Sequence, residues 1–324
     1  MKKSVKNVLI GSGLAAGTLV AAGAWSYVIT RKLVEIALER EENETVSESK
    51  KYIAGNPETS AFTKVRENAA EKLEGSSHDT VEITAQDGIK LVGHWRFCEN
   101  PKRIIIAMHG WRSSWARDFG LIADFFYHND CHVLYAEQRG QNNSGGDYMG
   151  FGLTERYDCL AWANWVGAQE YGNLPVYLCG VSMGASTVLM ATGFELPPNV
   201  HGVIADCGYT SPHAIWKHVV ENNLRLYYDN MMSSIADEMC RAKIQVGSKD
   251  YSCPDALAEC KVPVLFIHGT DDDFVPVEMT YENYKACVSQ KRLLIIPGAG
   301  HGMSYVIDKK LYEQAVKQFW ADFD

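Results

Sequence analysis

The chain has 324 residues, a formal charge of −9 and nine cysteines. That length is enough for one large α/β core, and an acidic balance without clustered Lys and Arg excludes a nucleic-acid partner. The cysteines are odd in number with no C-x-x-C and no zinc-type spacing, so buried free thiols are expected, not disulfides or a metal centre.

Lys2, Lys3 and Lys6 precede an uncharged run from Asn7 to Thr30, which Arg31 and Lys32 close. The run is long enough to cross a bilayer as a helix. A retained anchor, a signal peptide cleaved at Ala22-Gly23-Ala24 and a buried helix each fit it. The expectation adopted is a single-pass anchor over residues 1–32 in the cell membrane. The N-terminal lysines lean it to N-inside, with the catalytic part extracytoplasmic. Residues 33–77, rich in Glu and Lys, read as a juxtamembrane helix and linker with a solvated face and a short helix over Ala61–Leu73. A chain starting near Glu41 is therefore expected to keep its catalytic rate.

The catalytic domain is placed at 78–324. Thr80–Ala85 and Ile89–Phe97 alternate as two strands joined by a turn at Asp87-Gly88. Arg103–Met108 is a continuous apolar run, as in a strand buried on both faces of a parallel sheet. A helix over Ala116–His128, a strand over Cys131–Tyr135 and a helix over Gly152–Glu170 follow. The last is expected to bury the stripe Leu153, Tyr157, Leu160, Asn164, Trp165 and Ala168. Later strands are expected at Val176–Cys179, Val200–Ala205, Val262–Ile267 and Arg292–Ile296, and a final helix at Tyr305–Phe319. Repeated βα units imply a mostly parallel sheet with helices on both faces. The alternation lapses at about 207–260, a stretch rich in Tyr, Trp, Met and Asn, which reads as a short helical lid over the carboxyl ends of the strands.

The chemistry centres on Gly180-Val181-Ser182-Met183-Gly184, which lies between the apolar strand and a small-residue helix over Ala185–Ala191. This is the strand-turn-helix setting in which a serine is held on a sharp turn, its flanking glycines making room for neighbouring backbone. A serine hydroxyl needs a base, and the base needs an acid to hold its tautomer. Of ten histidines, only His301 follows a late strand through a glycine loop. His109 and His268 each precede a glycine at a strand end, a setting that suits bonds to backbone. The loop after Val262–Ile267 offers Asp271, Asp272 and Asp273 as acids, and the residues alone do not choose among them.

His109-Gly110-Trp111, Gln138-Arg139-Gly140, the Ser182 pentapeptide, Asp206-Cys207-Gly208-Tyr209-Thr210-Ser211, and His268-Gly269 with Asp272-Asp273-Phe274-Val275-Pro276 occur in one order. On these, residues 78–322 resemble an α/β-hydrolase, specifically the bacterial membrane-anchored hydrolases grouped with dienelactone-hydrolase-like and prolyl-oligopeptidase-like enzymes. The resemblance implies an α/β-hydrolase fold and a triad of Ser182, Asp272 and His301, the family's acid standing four residues before the proline. It also implies oxyanion donors in the backbone N–H groups of Trp111 and Met183, and neither cofactor nor metal. The implied reaction is hydrolysis of a small-molecule carboxylic ester through an acyl-enzyme. A peptidase or acyltransferase using the same triad and a non-catalytic membrane scaffold are the alternatives. The chain has no room for the propeller usual in prolyl oligopeptidases, which favours the ester. Gln141 and Asn142 replace a usual histidine-glycine pair, a departure that bears on substrate preference. In the lid, Tyr209, Trp216, Tyr227 and Tyr228 are expected to line an acyl pocket or to pack the lid onto the sheet.

Overall fold

The computed structural model describes residues 24–41 and 60–324. Among them, the apolar runs form an eight-stranded sheet: β1 (Asp79–Thr84), β2 (Lys90–Arg96), β3 (Arg103–Met108), β4 (Cys131–Glu137), β5 (Val176–Val181), β6 (Val200–Asp206), β7 (Val264–Gly269) and β8 (Lys291–Ile296). Their order is β1-β2-β4-β3-β5-β6-β7-β8. β2 pairs antiparallel with β1 and β4, and the six strands from β4 to β8 are mutually parallel. The β1–β2 hairpin turns at Gly88, whose φ of 86° a side chain would strain. β3, β4 and β7 are buried along their whole length, as helices on both faces require.

Each face carries its own core. Beneath one lie helices Glu155–Gly167 and Met183–Ala191 together with the lid; beneath the other lie Trp115–Phe119, Ala123–His128 and Lys309–Phe323. The lid leaves the sheet after β6 as Pro212–His218, a π-turn at Val219–Asn223, Asn230–Ile244 and Cys253–Leu257. Ser211, Asp229 and Ser252 start its three α-helices by accepting a backbone N–H three residues on. All nine cysteines are free thiols.

Three expectations need correction. The helix expected over Ala116–His128 is two short helices separated at Gly120, where a Cβ would come within 2.7 Å of the Ala69 carbonyl. Helix Ser60–Glu74 crosses there at backbone contact. In Glu155–Gly167 the buried stripe is Asp158, Cys159, Trp162, Ala163 and Val166, while Tyr157, Asn164 and Ala168 are exposed. A buried Trp162 and an ion pair set that rotation, and neither is visible in apolar spacing. Arg139 at the end of β4 donates to Asp158 at 2.5 and 2.6 Å and to Asp87 at 2.7 Å. Asp158→Ala leaves that guanidinium with the half-exposed Asp87 as its remaining anionic partner, so urea denaturation should show a loss of about 3 kcal/mol, the low end for a broken buried pair.

The third correction concerns the N-terminal segment. Residues 24–38 form a helix that packs on the catalytic domain; Thr30, Val34, Ile36 and Leu38 are buried, and Ile29 and Leu33 cover Val220, Tyr228 and Met232 of the lid. Burying each of the larger aliphatic side chains contributes roughly 1.5–3 kcal/mol. The stretch expected to be a solvated linker therefore begins inside the core. Residues 1–23, with most of the expected anchor, lie outside the described residues. No helix among the described residues is long and apolar enough to cross a membrane.

Candidate active site

Ser182 stands between β5 and helix Met183–Ala191 with φ 56° and ψ −118°, a left-handed conformation that a non-glycine residue keeps only when its surroundings over-determine it. They do so here. Ser182 N–H donates to Asp206 O at 2.9 Å and Ser182 O accepts from Ser186 N–H at 3.1 Å. The glycines at 180 and 184 are required by space, since a Cβ on Gly184 would strike the Met108 carbonyl and one on Gly180 would strike Gly184 backbone.

Three loops at the carboxyl ends of β5, β7 and β8 bring Ser182, Asp272 and His301 together. His301 Nε2 lies 2.8 Å from Ser182 Oγ and Nδ1 lies 2.7 Å from Asp272 Oδ2. Asp272 Oδ1 accepts from the backbone N–H of Phe274 at 3.0 Å and Val275 at 2.8 Å. Asp271 and Asp273 are exposed and Asp272 is buried, which separates three carboxylates that the sequence leaves equivalent. Burial works against the Asp272 anion, but His301 and His268 hold its carboxyl well below the usual range. Burial likewise works against the His301 cation; Asp272 and the neighbouring Cys207 outweigh it and raise the imidazole well above its ordinary value.

His268 and His109 are supports. His268 Nε2 faces Val275 O at 2.8 Å and Asp272 Oδ2 at 3.1 Å, both acceptors, so it carries the proton; Nδ1 then accepts from Thr280 Oγ1 at 2.7 Å. Its hold on Asp272 went unseen in the sequence, where only backbone bonding was expected. His109 Nε2 accepts from Gln138 N–H at 3.1 Å and Nδ1 meets Gly110 O. The following loop runs past Ser182, so close that a Cβ on Gly110 would lie 3.4 Å from Ser182 Cβ. Asp118 fixes that loop by accepting from Gly110 N–H at 2.7 Å and Ser113 Oγ at 2.6 Å, and it pairs with Arg66 at 2.7 Å. Asn142, where the sequence departs from the expected pair, donates to Ser113 O at 3.0 Å.

Beside Ser182, Asp272 and His301 lies a partly open, almost wholly apolar cavity of about 60 Å³. Trp111 and Phe274 join the two, the Phe274 ring standing edge-on to His301 at 5.0 Å. Of the four lid aromatics, Trp216 and Tyr228 line the cavity, and Tyr209 and Tyr227 do not. Tyr209 is buried beside Ser186, with which its backbone exchanges hydrogen bonds, and Tyr227 is 81% exposed. Phe151 and the helix residues Leu33, Val34, Ile36 and Ala37 also line it, and the sequence reading missed them. The four helix residues fall just after Arg31-Lys32, in a charged stretch whose composition reads as anchor and linker.

Cys207 is the other residue the reading passed over, although it lies within the Asp206–Ser211 motif. Its Sγ, a carboxylate oxygen of Asp272 and a ring nitrogen of His301 lie within 4.8 Å of one another, a spacing a metal ion tolerates. Both His301 nitrogens are already hydrogen-bonded. A metal there would have to break the link to Ser182 or to Asp272.

Fold and site define the class: an α/β-fold serine hydrolase. The model of the prolyl oligopeptidase family matches residues 117–323, well over half of the chain, and the chain belongs to that family. It is 28% identical over 191 residues to the uncharacterized protein YqkD of Bacillus subtilis, a stretch covering 58% of this chain and 61% of that protein. Among solved structures it is similar to the esterase Pf2001 of Pyrococcus furiosus, at a TM-score of 0.63 and 22% identity, covering 78% of this chain and 93% of that one. It is also similar to Est1E of Butyrivibrio proteoclasticus with ferulic acid bound, at 0.59 and 22%, covering 75% and 98%. At such identities the likeness is one of fold.

Proposed function

We propose that the chain hydrolyses carboxylic esters of apolar acids through an acyl-enzyme on Ser182. The observation that carries this is the continuous relay from Ser182 Oγ through His301 to Asp272, with contacts of 2.8 and 2.7 Å. Ser182 Oγ attacks the ester carbonyl as its proton passes to His301 Nε2, and the backbone N–H groups of Met183 and Trp111 hold the resulting oxyanion. Met183 opens its helix, where the first amides have no acceptor within the helix. The alcohol departs with the proton from His301. Water then attacks the acyl carbon, gives its proton to His301, and the acid leaves as Ser182 recovers a proton.

The family also favours a peptidase reading. The cavity speaks for the ester, because none of its described lining residues carries a charge that would pair with a peptide terminus. A series of p-nitrophenyl esters from acetate to decanoate, run beside peptide p-nitroanilides, separates the two. The ester reading expects turnover that rises with acyl length to an optimum, and faster cleavage of the anilides would overturn it.

The same proposal keeps the enzyme at the cell membrane with its catalytic part outside. The uncharged run supports this, shortened to Asn7–Val28 because Ile29 and Thr30 pack on the domain. That is still about twenty residues, enough to span the hydrocarbon core. The full chain should stay with membranes through a carbonate wash, and its recovery in the soluble fraction would refute the anchor.

A further inference from the structure

We propose that the helix at 24–38 is a working part of the active site, forming one wall of the acyl pocket and, through Arg112 as positioning residue, setting the loop that presents the Trp111 N–H. The inference rests on the acyl-enzyme reading above and gives it a substrate class: esters of aliphatic acids whose chain lies against Leu33, Val34 and Ala37.

Two sets of contacts carry it. The first is the wall, since four cavity residues, Leu33, Val34, Ile36 and Ala37, come from this helix. The second joins the helix end to the loop after β3. Trp111 Nε1 donates to Ala37 O at 2.9 Å, and the Arg112 guanidinium donates to Ile36 O at 3.0 and 3.3 Å, to Arg40 O at 3.4 Å and to Glu39 O. Carbonyls at a helix C-terminus lack partners within the helix and carry the negative end of its dipole, so a cation fits them. Arg112 makes these bonds from φ 48°, a left-handed conformation an arginine keeps only when held.

The helix end is itself fixed. Leu38 O accepts from Met149 N–H at 2.7 Å, and Glu39 pairs with Lys243 of the lid at 2.7 Å. Arg40 donates to Asn142 O and Ser144 O at 2.6 Å, and Asn142 in turn holds Ser113. The ring of contacts thus runs from the helix to the loop and back. One residue, Trp111, meets the helix with its indole and the site with its main chain, so a shift of the helix displaces the oxyanion donor. Residues 33–40 belong to the catalytic machinery, contrary to the expectation that a chain starting near Glu41 keeps its rate.

Full-length variants test this with three readouts: the rate of labelling by a fluorophosphonate, kcat and KM on p-nitrophenyl acetate and octanoate, and Tm. Arg112→Gln should lower kcat and the labelling rate by about 10–100-fold with KM changed little, because donor placement matters in the transition state. Arg112→Lys, which keeps the cation, should recover part of the loss. Ala37→Trp should lower the octanoate-to-acetate ratio of kcat/KM by about tenfold or more. If Arg112→Gln melts earlier while labelling and turning over normally, Arg112 only packs and the positioning role is overturned. An unchanged acyl preference in Ala37→Trp overturns the wall; if Arg112→Gln does not fold, Arg112→Lys judges the positioning role, and normal kcat and labelling in that variant with only a lowered Tm overturn it. Should the wild-type chain label but hydrolyse no ester, the ester reading fails while the labelling rates still judge the positioning role.

Discussion

Ser182→Ala should abolish fluorophosphonate labelling of the whole chain and lower kcat on a p-nitrophenyl ester by about a million-fold, as loss of a triad nucleophile does elsewhere. The expectation follows from geometry. Among the described residues, Ser182 is the serine whose Oγ meets an imidazole that is itself held by a buried carboxylate. It also occupies a strained turn, and its side chain makes no capping hydrogen bond to the helix it begins. Alanine keeps the fold, because the bonds that hold the turn are made by backbone atoms of residue 182. Intact-mass spectrometry after labelling is the check. An adduct on another serine, or near-normal turnover by the variant, would remove Ser182 from the mechanism, whereas a wild-type chain that neither labels nor turns over would favour the scaffold alternative.

Asp272→Asn should lower kcat by about ten-thousand-fold, while Asp271→Asn and Asp273→Asn should each cost little, since a wrongly placed amide holds the imidazole in the wrong tautomer. The pH dependence adds a signed test. His301 acts as a base only when neutral, and its neighbours raise its pKa above the ordinary 6.5. The acid limb of kcat/KM should therefore lie on the alkaline side of 6.5, with activity lost as pH falls through the raised value. Removing the Asp272 charge takes away part of that rise, so the residual activity of Asp272→Asn should show its limb at lower pH. A limb that stays in place in the variant, or equal small effects at all three aspartates, would show that the acid lies elsewhere.

Legibility in the sequence differed from element to element for physical reasons. A parallel strand covered on both faces must be apolar throughout, so Arg103–Met108 announced itself, and the strand expected at Val262–Ile267 lies two residues from its place at Val264–Gly269. A tight strand-turn-helix needs glycine where backbones touch, so the Ser182 turn was readable, and chain order with a glycine loop singled out His301. These signals are local, written within a few residues by sterics or burial. The choice of Asp272 from three adjacent aspartates needed the resemblance, and only the fold shows why: the loop buries one carboxylate between His268 and His301 and leaves two in water. The rotation of Glu155–Gly167 was misread because Trp162 and the Arg139–Asp158 pair decide it across the chain. The role of residues 33–40 lay furthest from view. Leu33, Val34, Ile36 and Leu38 sit in a charged stretch after an apolar run, and composition there says anchor and linker. Their pocket and the carbonyls that Arg112 and Trp111 grip exist only once segments more than seventy residues apart are folded together. The sequence by itself thus determined the strands, the Ser182 turn and the choice of His301 as its partner. Tertiary structure decided the acid, the pocket and the part played by the N-terminal helix, because each depends on which distant groups share a buried volume.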